Sequence, residues 1–107
     1  MKAIRLDAGQ LIDYTPPAGV AAGDVVVQGG LVGVAATPIP ANTPGSLAVT
    51  GEFDILKAAV VITAGALVYW DAAAQVATNV VATNTLMGRA VRLAALGDAR
   101  VRVLLTP

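Results

Sequence analysis

Val25-Val26-Val27-Gln28-Gly29-Gly30-Leu31-Val32-Gly33-Val34-Ala35 decides the fold class. Two β-branched runs flank a Gly-Gly pair, and glycine makes a two-residue hairpin turn without steric cost. Outward from this hairpin the same punctuation continues. Gly and Pro recur every ~8–12 residues with Val, Ile, Leu and Thr between them, the spacing of short strands joined by tight turns. The expected strands are Gln10–Thr15, Val25–Gln28, Leu31–Ala36, Ser46–Thr50, Glu52–Leu56, Ala66–Asp71, Gln75–Thr78, Leu86–Leu93 and Ala99–Leu105. Asp71-Ala72-Ala73-Ala74 reads as a second hairpin turn. Thr37–Pro44 carries three prolines, which cannot donate to a sheet ladder, so it is expected to be a loop or an extended arm. A single helical turn is the most that Lys57–Ala64 could form, because the Val60-Val61-Ile62 run disfavours a longer one.

Sliding the chain by 42 residues lays Val20–Thr50 on Ile62–Arg92. Ala22, Gly23, Val26, Val34, Ala35, Asn42, Thr43, Ala48 and Val49 then meet Ala64, Gly65, Val68, Val76, Ala77, Asn84, Thr85, Ala90 and Val91. An Ala/Val-rich composition gives fewer identities by chance. Two such units cannot each bury a face alone, so they are expected to pack into one small barrel-like or β-clip-like domain with two related halves.

At 107 residues, one domain spanning 1–107 is expected. Apolar residues make up 56% of it and charged residues 13%, well under the ~25% usual in soluble domains. Seven basic residues balance seven acidic ones. A chain with no net charge and so little charged surface tends to associate with itself. The longest apolar stretch, Ala58–Trp70, falls short of the ~20 residues of a spanning helix. Charges at Lys2, Arg5 and Asp7 occupy the place of a signal peptide's apolar run. Without cysteine there are no disulfides and no thiolate metal sites.

Near the C-terminus, Gly97-Asp98 lies between two alternating runs. A three-residue loop, Leu96-Gly97-Asp98, groups Val91, Leu93, Val101, Val103 and Leu105 on one face, and register follows the apolar face. That pairing sets Arg92, Arg100 and Arg102 on the other face with Arg92 opposite Arg102, a like-charge contact that a carboxylate reaching in would relieve.

Reactive chemistry finds few candidates. There is no histidine or cysteine, and Ser46 is the only serine, so no nucleophile–base constellation can be assembled. No catalytic residue, metal site or cofactor is expected. Glu52 and Asp54 alternate on a strand and could share a face, but a solvated strand surface accounts for them. Gly29-Gly30-Leu31-Val32-Gly33 lacks the spacing of a phosphate-binding loop. Arg92, Arg100 and Arg102 suit a subunit interface, since the guanidinium fork pairs bidentately with carboxylates. Joined by Arg5 and Arg89 they could track phosphates, which makes a small nucleic-acid-binding barrel the alternative reading. Tyr69 and Trp70 must point to opposite faces of their strand, so one is expected in the core and the other at a rim or subunit contact.

The order of these motifs resembles a family of small proteins of tailed phages and prophages regarded as capsid cement or head-decoration proteins. The matching stretches are Pro17-Ala18-Gly19-Val20-Ala21-Ala22-Gly23-Asp24-Val25-Val26 and Gly30-Leu31-Val32-Gly33-Val34-Ala35. Gly51-Glu52-Phe53-Asp54-Ile55-Leu56-Lys57-Ala58 and Gly65-Ala66-Leu67-Val68-Tyr69-Trp70-Asp71 follow, then Leu86-Met87-Gly88-Arg89-Ala90 and a closing Gly97-Asp98 before a Val-rich strand. Members often carry a phage-recombinase label, against which the missing phosphate loop speaks. The proline-rich Thr37–Pro44 departs from the family pattern, where acidic or polar residues are more usual. The resemblance implies a structural virion protein, made in the host cytoplasm, that binds the outside of a shell of major capsid protein, commonly as a homotrimer, and stiffens it against internal DNA pressure. It carries over no catalytic residues. Met1–Gln10 would then be a candidate arm that orders against the shell.

Overall fold

A computed structural model describes residues 11–106, so the expected arm at 1–10 lies outside the described residues. The described chain is all-β. Its nine strands are β1 (Leu11–Tyr14), β2 (Val25–Gln28), β3 (Leu31–Ala35), β4 (Gly45–Ala48), β5 (Gly51–Leu56), β6 (Leu67–Asp71), β7 (Val76–Thr78), β8 (Thr85–Ala90) and β9 (Arg100–Leu105). They form a four-stranded sheet in the order β1-β4-β3-β2 and a five-stranded sheet in the order β5-β9-β8-β6-β7, with every strand pair antiparallel. Every expected strand is present, most of them trimmed by a residue or two where the turns begin.

The turns follow their residues. Gly29, at φ 63, turns β2 into β3 with Gln28 opposite Leu31. After β6 the Asp71 carboxylate accepts the amides of Ala73 and Ala74, both at 3.1 Å, and Gln75 takes the left-handed conformation. Lys57–Ala64 contains no helical turn. Its two ends are tied by isolated bridges instead, Lys57 to Ala77 and Ile62 to Ala94. The Lys57 bridge, with the Ala58 amide donating to the Ala77 carbonyl at 2.8 Å, links the two edge strands β5 and β7 and curls the second sheet towards a barrel.

One core serves both sheets. Ile55, Val68, Trp70, Ala77, Met87, Ala90, Val101, Val103 and Leu105 fill the inside of the second sheet, and Val32 and Val34 of β3 complete the same cluster from the first. Val25 and Val27, opposite Val34 and Val32, pack beside them. The other face of the first sheet has its own small cluster of Ala35, Ile39 and Leu47, flanked by Ile12, Tyr14, Val20 and Val26. Ile39 belongs to the proline-rich loop, so Thr37–Pro44 is no extended arm. It folds back over β4, held by reciprocal backbone bonds between Val20 and Ile39 at 2.9 and 2.8 Å and by the Asn42 amide on the Pro16 carbonyl at 2.7 Å. Gly45 is small because Ile39 lies directly over it. Gly88 is small because a methyl there would overlap the Leu104 carbonyl of the adjacent strand.

The uniform 42-residue offset is not the relation between the two sheets. It lays Val34 and Ala35 on Val76 and Ala77 of β7, but the strand that occupies the place of β3 in the second sheet is β8.

Lys57 is 7% exposed, and among the described residues no carboxylate lies within bonding distance of it. Its ammonium donates to the carbonyls of Val60 (2.8 Å), Ala58 (3.1 Å) and Leu96 (3.4 Å). Three carbonyl dipoles from two loops thus solvate a buried charge. Lys57→Met keeps the chain length but leaves these carbonyls without their donor, and it is expected to cost about 2–4 kcal/mol in urea unfolding. An unchanged midpoint would show that the ammonium does not hold the loops together.

Candidate functional site

The outer face of the second sheet gathers most of the side chains singled out from the sequence. Because side chains alternate along a strand, Val101, Val103 and Leu105 of β9 turn inward, while Arg100, Arg102 and Leu104 turn outward. On β5, Glu52, Asp54 and Leu56 share the outer face and stand opposite Leu104, Arg102 and Arg100 respectively. On the far side of β9, Leu104 pairs with Arg89, which pairs in turn with Leu67. One row across four strands therefore reads Glu52, Leu104, Arg89, Leu67. Leu67, Leu86, Leu104 and Leu56 are each 39–49% exposed.

Within the face, Arg102 is bound to Asp54. Its Nε donates to Oδ1 at 3.2 Å and its Nη2 lies 3.5 Å from Oδ2, a two-pronged pairing with both side chains partly exposed. Arg100 Nη1 donates to the backbone carbonyl of Asp54 at 3.2 Å. Arg89 Nη1 reaches across to the Gly65 carbonyl at 2.9 Å. The Arg102 hydrogen bond, and behind it the charges of Arg102, Arg92 and Arg100, hold the Asp54 carboxyl below its ordinary value of 3.8 against a smaller opposing cost of desolvation. Asp54 is thus kept as a carboxylate, the reverse of what a general acid requires. A shallow hollow of ≈ 280 Å³ lies between Glu52, Phe53, Asp54 and Arg102. Among the described residues no three acidic side chains come close enough to hold a metal ion.

Two expectations about this region need correction. Arg92 does not stand opposite Arg102. β8 ends at Ala90, which pairs with Val103, and the Val91 amide donates to the Arg102 carbonyl at 3.0 Å, so the register is one residue away from the expected one. Val91 and Leu93 are exposed and do not join the buried row of Val101, Val103 and Leu105. The chain leaves the sheet after Ala90 because Ala94 is drawn onto Ile62 by reciprocal bonds at 2.8 and 3.0 Å. Of the two aromatic residues expected on opposite faces, Trp70 is the core one, 5% exposed in the shared core, and Tyr69 is half-buried on the outer face. Lys57, which no motif pointed to, is the one buried charge among the described residues.

A β-protein whose cations bind its own carbonyls and carboxylate, and whose open face mixes leucines with both signs of charge, has the make-up of an interaction module. The model of the family described as phage cement protein matches residues 6–105, nearly the whole chain, and the chain belongs to that family. It is therefore a structural phage protein. No curated protein and no solved structure matches it.

The Asp54–Arg102 pair can be tested by titration. A carboxylate held below 3.8 contributes stability above that pH and loses it as the pH falls through the folded-state value. In Arg102→Gln, an NMR titration of the Asp54 carboxyl is expected to move up towards 3.8. The stability gap between wild type and variant should narrow as acid is added below that pH. An Asp54 titration unmoved by the substitution would mean that Arg102 does not set it.

Proposed function

We propose that this protein binds the outer surface of a phage capsid as a homo-oligomer and cements neighbouring capsid subunits. The reading is carried by the family match over residues 6–105. It is supported by the composition, 56% apolar with no net charge, and by the cluster of exposed leucines on a sheet face that none of the described residues covers. Arg100, Arg102 and Tyr69 are proposed to lie at contacts between molecules. Arg92, two residues beyond the end of β8, is proposed to stand at their edge. The major capsid protein and further copies of the chain are the proposed partners, with a trimer favoured, and the capsid exterior is the proposed location.

Nucleic-acid binding through the same arginines is not favoured. Arg102 is neutralised by Asp54, and Glu52 sits in the adjacent row, so phosphates would meet two carboxylates on the same face.

Purified protein mixed with empty, expanded shells of the phage that encodes it should co-sediment with them in a saturable manner and raise their resistance to heat or chelators. A protein left wholly in the supernatant at all concentrations would contradict the reading.

A further inference from the structure

β2 ends the first sheet, and among the described residues no strand lies along its outer side. The two-residue turn at Gly29-Gly30 makes Gln28 and Leu31 a hydrogen-bonded pair, so the alternate residues Gln28, Val26 and Asp24 bond inward to β3. The Ala35 amide on the Asp24 carbonyl at 3.0 Å keeps the same phase. Val25 and Val27 therefore turn their amides and carbonyls to the open edge. Bare edges are templates for pairing, and proteins guard them with charge, proline or cover. β1, the other edge of this sheet, carries Asp13, while β5 and β7 are tied to each other by the Lys57–Ala77 bridge. Val25-Val26-Val27-Gln28 holds neither a charge nor a proline.

A groove follows this edge. A hollow of ≈ 400 Å³ is lined by Val25 and Val27, which pack on the shared core, and also by Val26 from the other face, so it lies along the rim of the sheet. Its far wall is Trp70 with Ala72 and Gln75 of the β6–β7 turn. With that turn standing across from β2, the edge is open to a single extended segment and closed to a whole sheet.

Residues 1–10 supply such a segment. Ile4, Leu6 and Ala8 alternate with Arg5 and Asp7, the period of a strand with one apolar side. Beside β2 that side would continue Val25 and Val27 over Trp70. Ten residues reach ~33 Å when extended. They enter the fold at Leu11 in β1, three strands and about 14 Å away from β2. Both faces between these edges are occupied, one by the second sheet and the other by the loop carrying Ile39. A segment from the same molecule would have to cross a covered face, and one from a neighbour would not.

We propose that the outer edge of β2 is a strand-acceptor site for residues 1–10 of a second copy of this chain. Main-chain bonds to Val25 and Val27 would hold the added strand, and Ile4 and Leu6 would seat against Trp70. The proposal rests on the reading of the protein as a homo-oligomer and names the contact that joins the copies. Each molecule gives one strand and receives one, a heterologous contact that closes into a ring when the rotation allows.

Sedimentation velocity of the full chain over a concentration series tests this with two variants, and circular dichroism checks their folding. Val27→Pro removes an outward amide that no bond in the sheet uses, and edge strands tolerate proline. Ile4→Asp alters the donor segment and leaves the acceptor edge as it is. Wild type is expected to associate, and each variant to weaken association by ~10-fold or more, the loss of one hydrogen bond or one buried apolar side chain. Cross-linking gives a second measurement. The chain has no cysteine, so Leu6→Cys, Ala72→Cys and Ala95→Cys each carry one thiol. A short bismaleimide should join Leu6→Cys to Ala72→Cys when the two proteins are mixed, and not to Ala95→Cys, whose loop does not line the groove. A wild type that stays monomeric, association indifferent to either folded variant, or equal cross-linking to Ala72→Cys and Ala95→Cys would each overturn the proposal. Shells added to the same samples separate the two ideas. A monomer that still coats shells removes the acceptor edge and leaves the cement reading, whereas an oligomer built on β2 that ignores shells does the opposite.

Discussion

β3 is the strand on which the molecule depends, because both of its faces are buried. Val32 and Val34 enter the core of the second sheet, and Ala35 closes the separate cluster under the proline-rich loop. Burying a valine side chain fully is worth about 1.5–3 kcal/mol, so these residues anchor the first sheet to the second with an energy comparable to the whole stability of a small domain. Small residues are needed where neighbouring strands and loops come close. Gly33 has Leu47 of the adjacent strand against it, Gly88 has the Leu104 carbonyl of its neighbour, and Gly45 has Ile39 of the covering loop. Without cysteine the chain has no disulfide, and close packing of this kind supplies rigidity within each sheet.

The same economy governs the charges. Lys57 is used up on three carbonyls, Arg89 on one, Arg100 on another, and Arg102 on a carboxylate. Each cation therefore stiffens the junction between two segments of backbone. The loops around Lys57 and the outer face of the second sheet become fixed surfaces, and a fixed surface loses less entropy when another molecule settles on it. For the proposed role in cementing a shell, rigidity of this kind is the property that matters.

The strands were legible because glycine and proline interrupt an otherwise β-branched sequence, and each interruption has a local cause such as the left-handed Gly29. The outward Arg100 and Arg102 were legible from alternation alone. The partner of Arg92 was not, since Val91 and Leu93 continue the apolar alternation past the point where the strand ends. What ends it is a tertiary bond between Ala94 and Ile62, far apart in sequence. Trp70 and Tyr69 oppose each other by alternation, but only packing into the core shared by both sheets decides which is inside. The fold-back of Thr37–Pro44 hinges on Ile39, one apolar residue between prolines, and Lys57 reads in sequence as an ordinary surface cation. Neither carries a local signal, because burial there comes from loops that meet only in the folded chain.

As proposed, the apolar surface left on the outer face of the second sheet is covered by other protein molecules on a virion. Cryo-electron microscopy of shells incubated with the purified chain tests it most directly. The account predicts added density on the outer surface, in which β9 and Leu104 face a neighbouring molecule and are closed to solvent. Shells without added density, or bound molecules whose five-stranded sheet turns its leucines to open solvent, would contradict it.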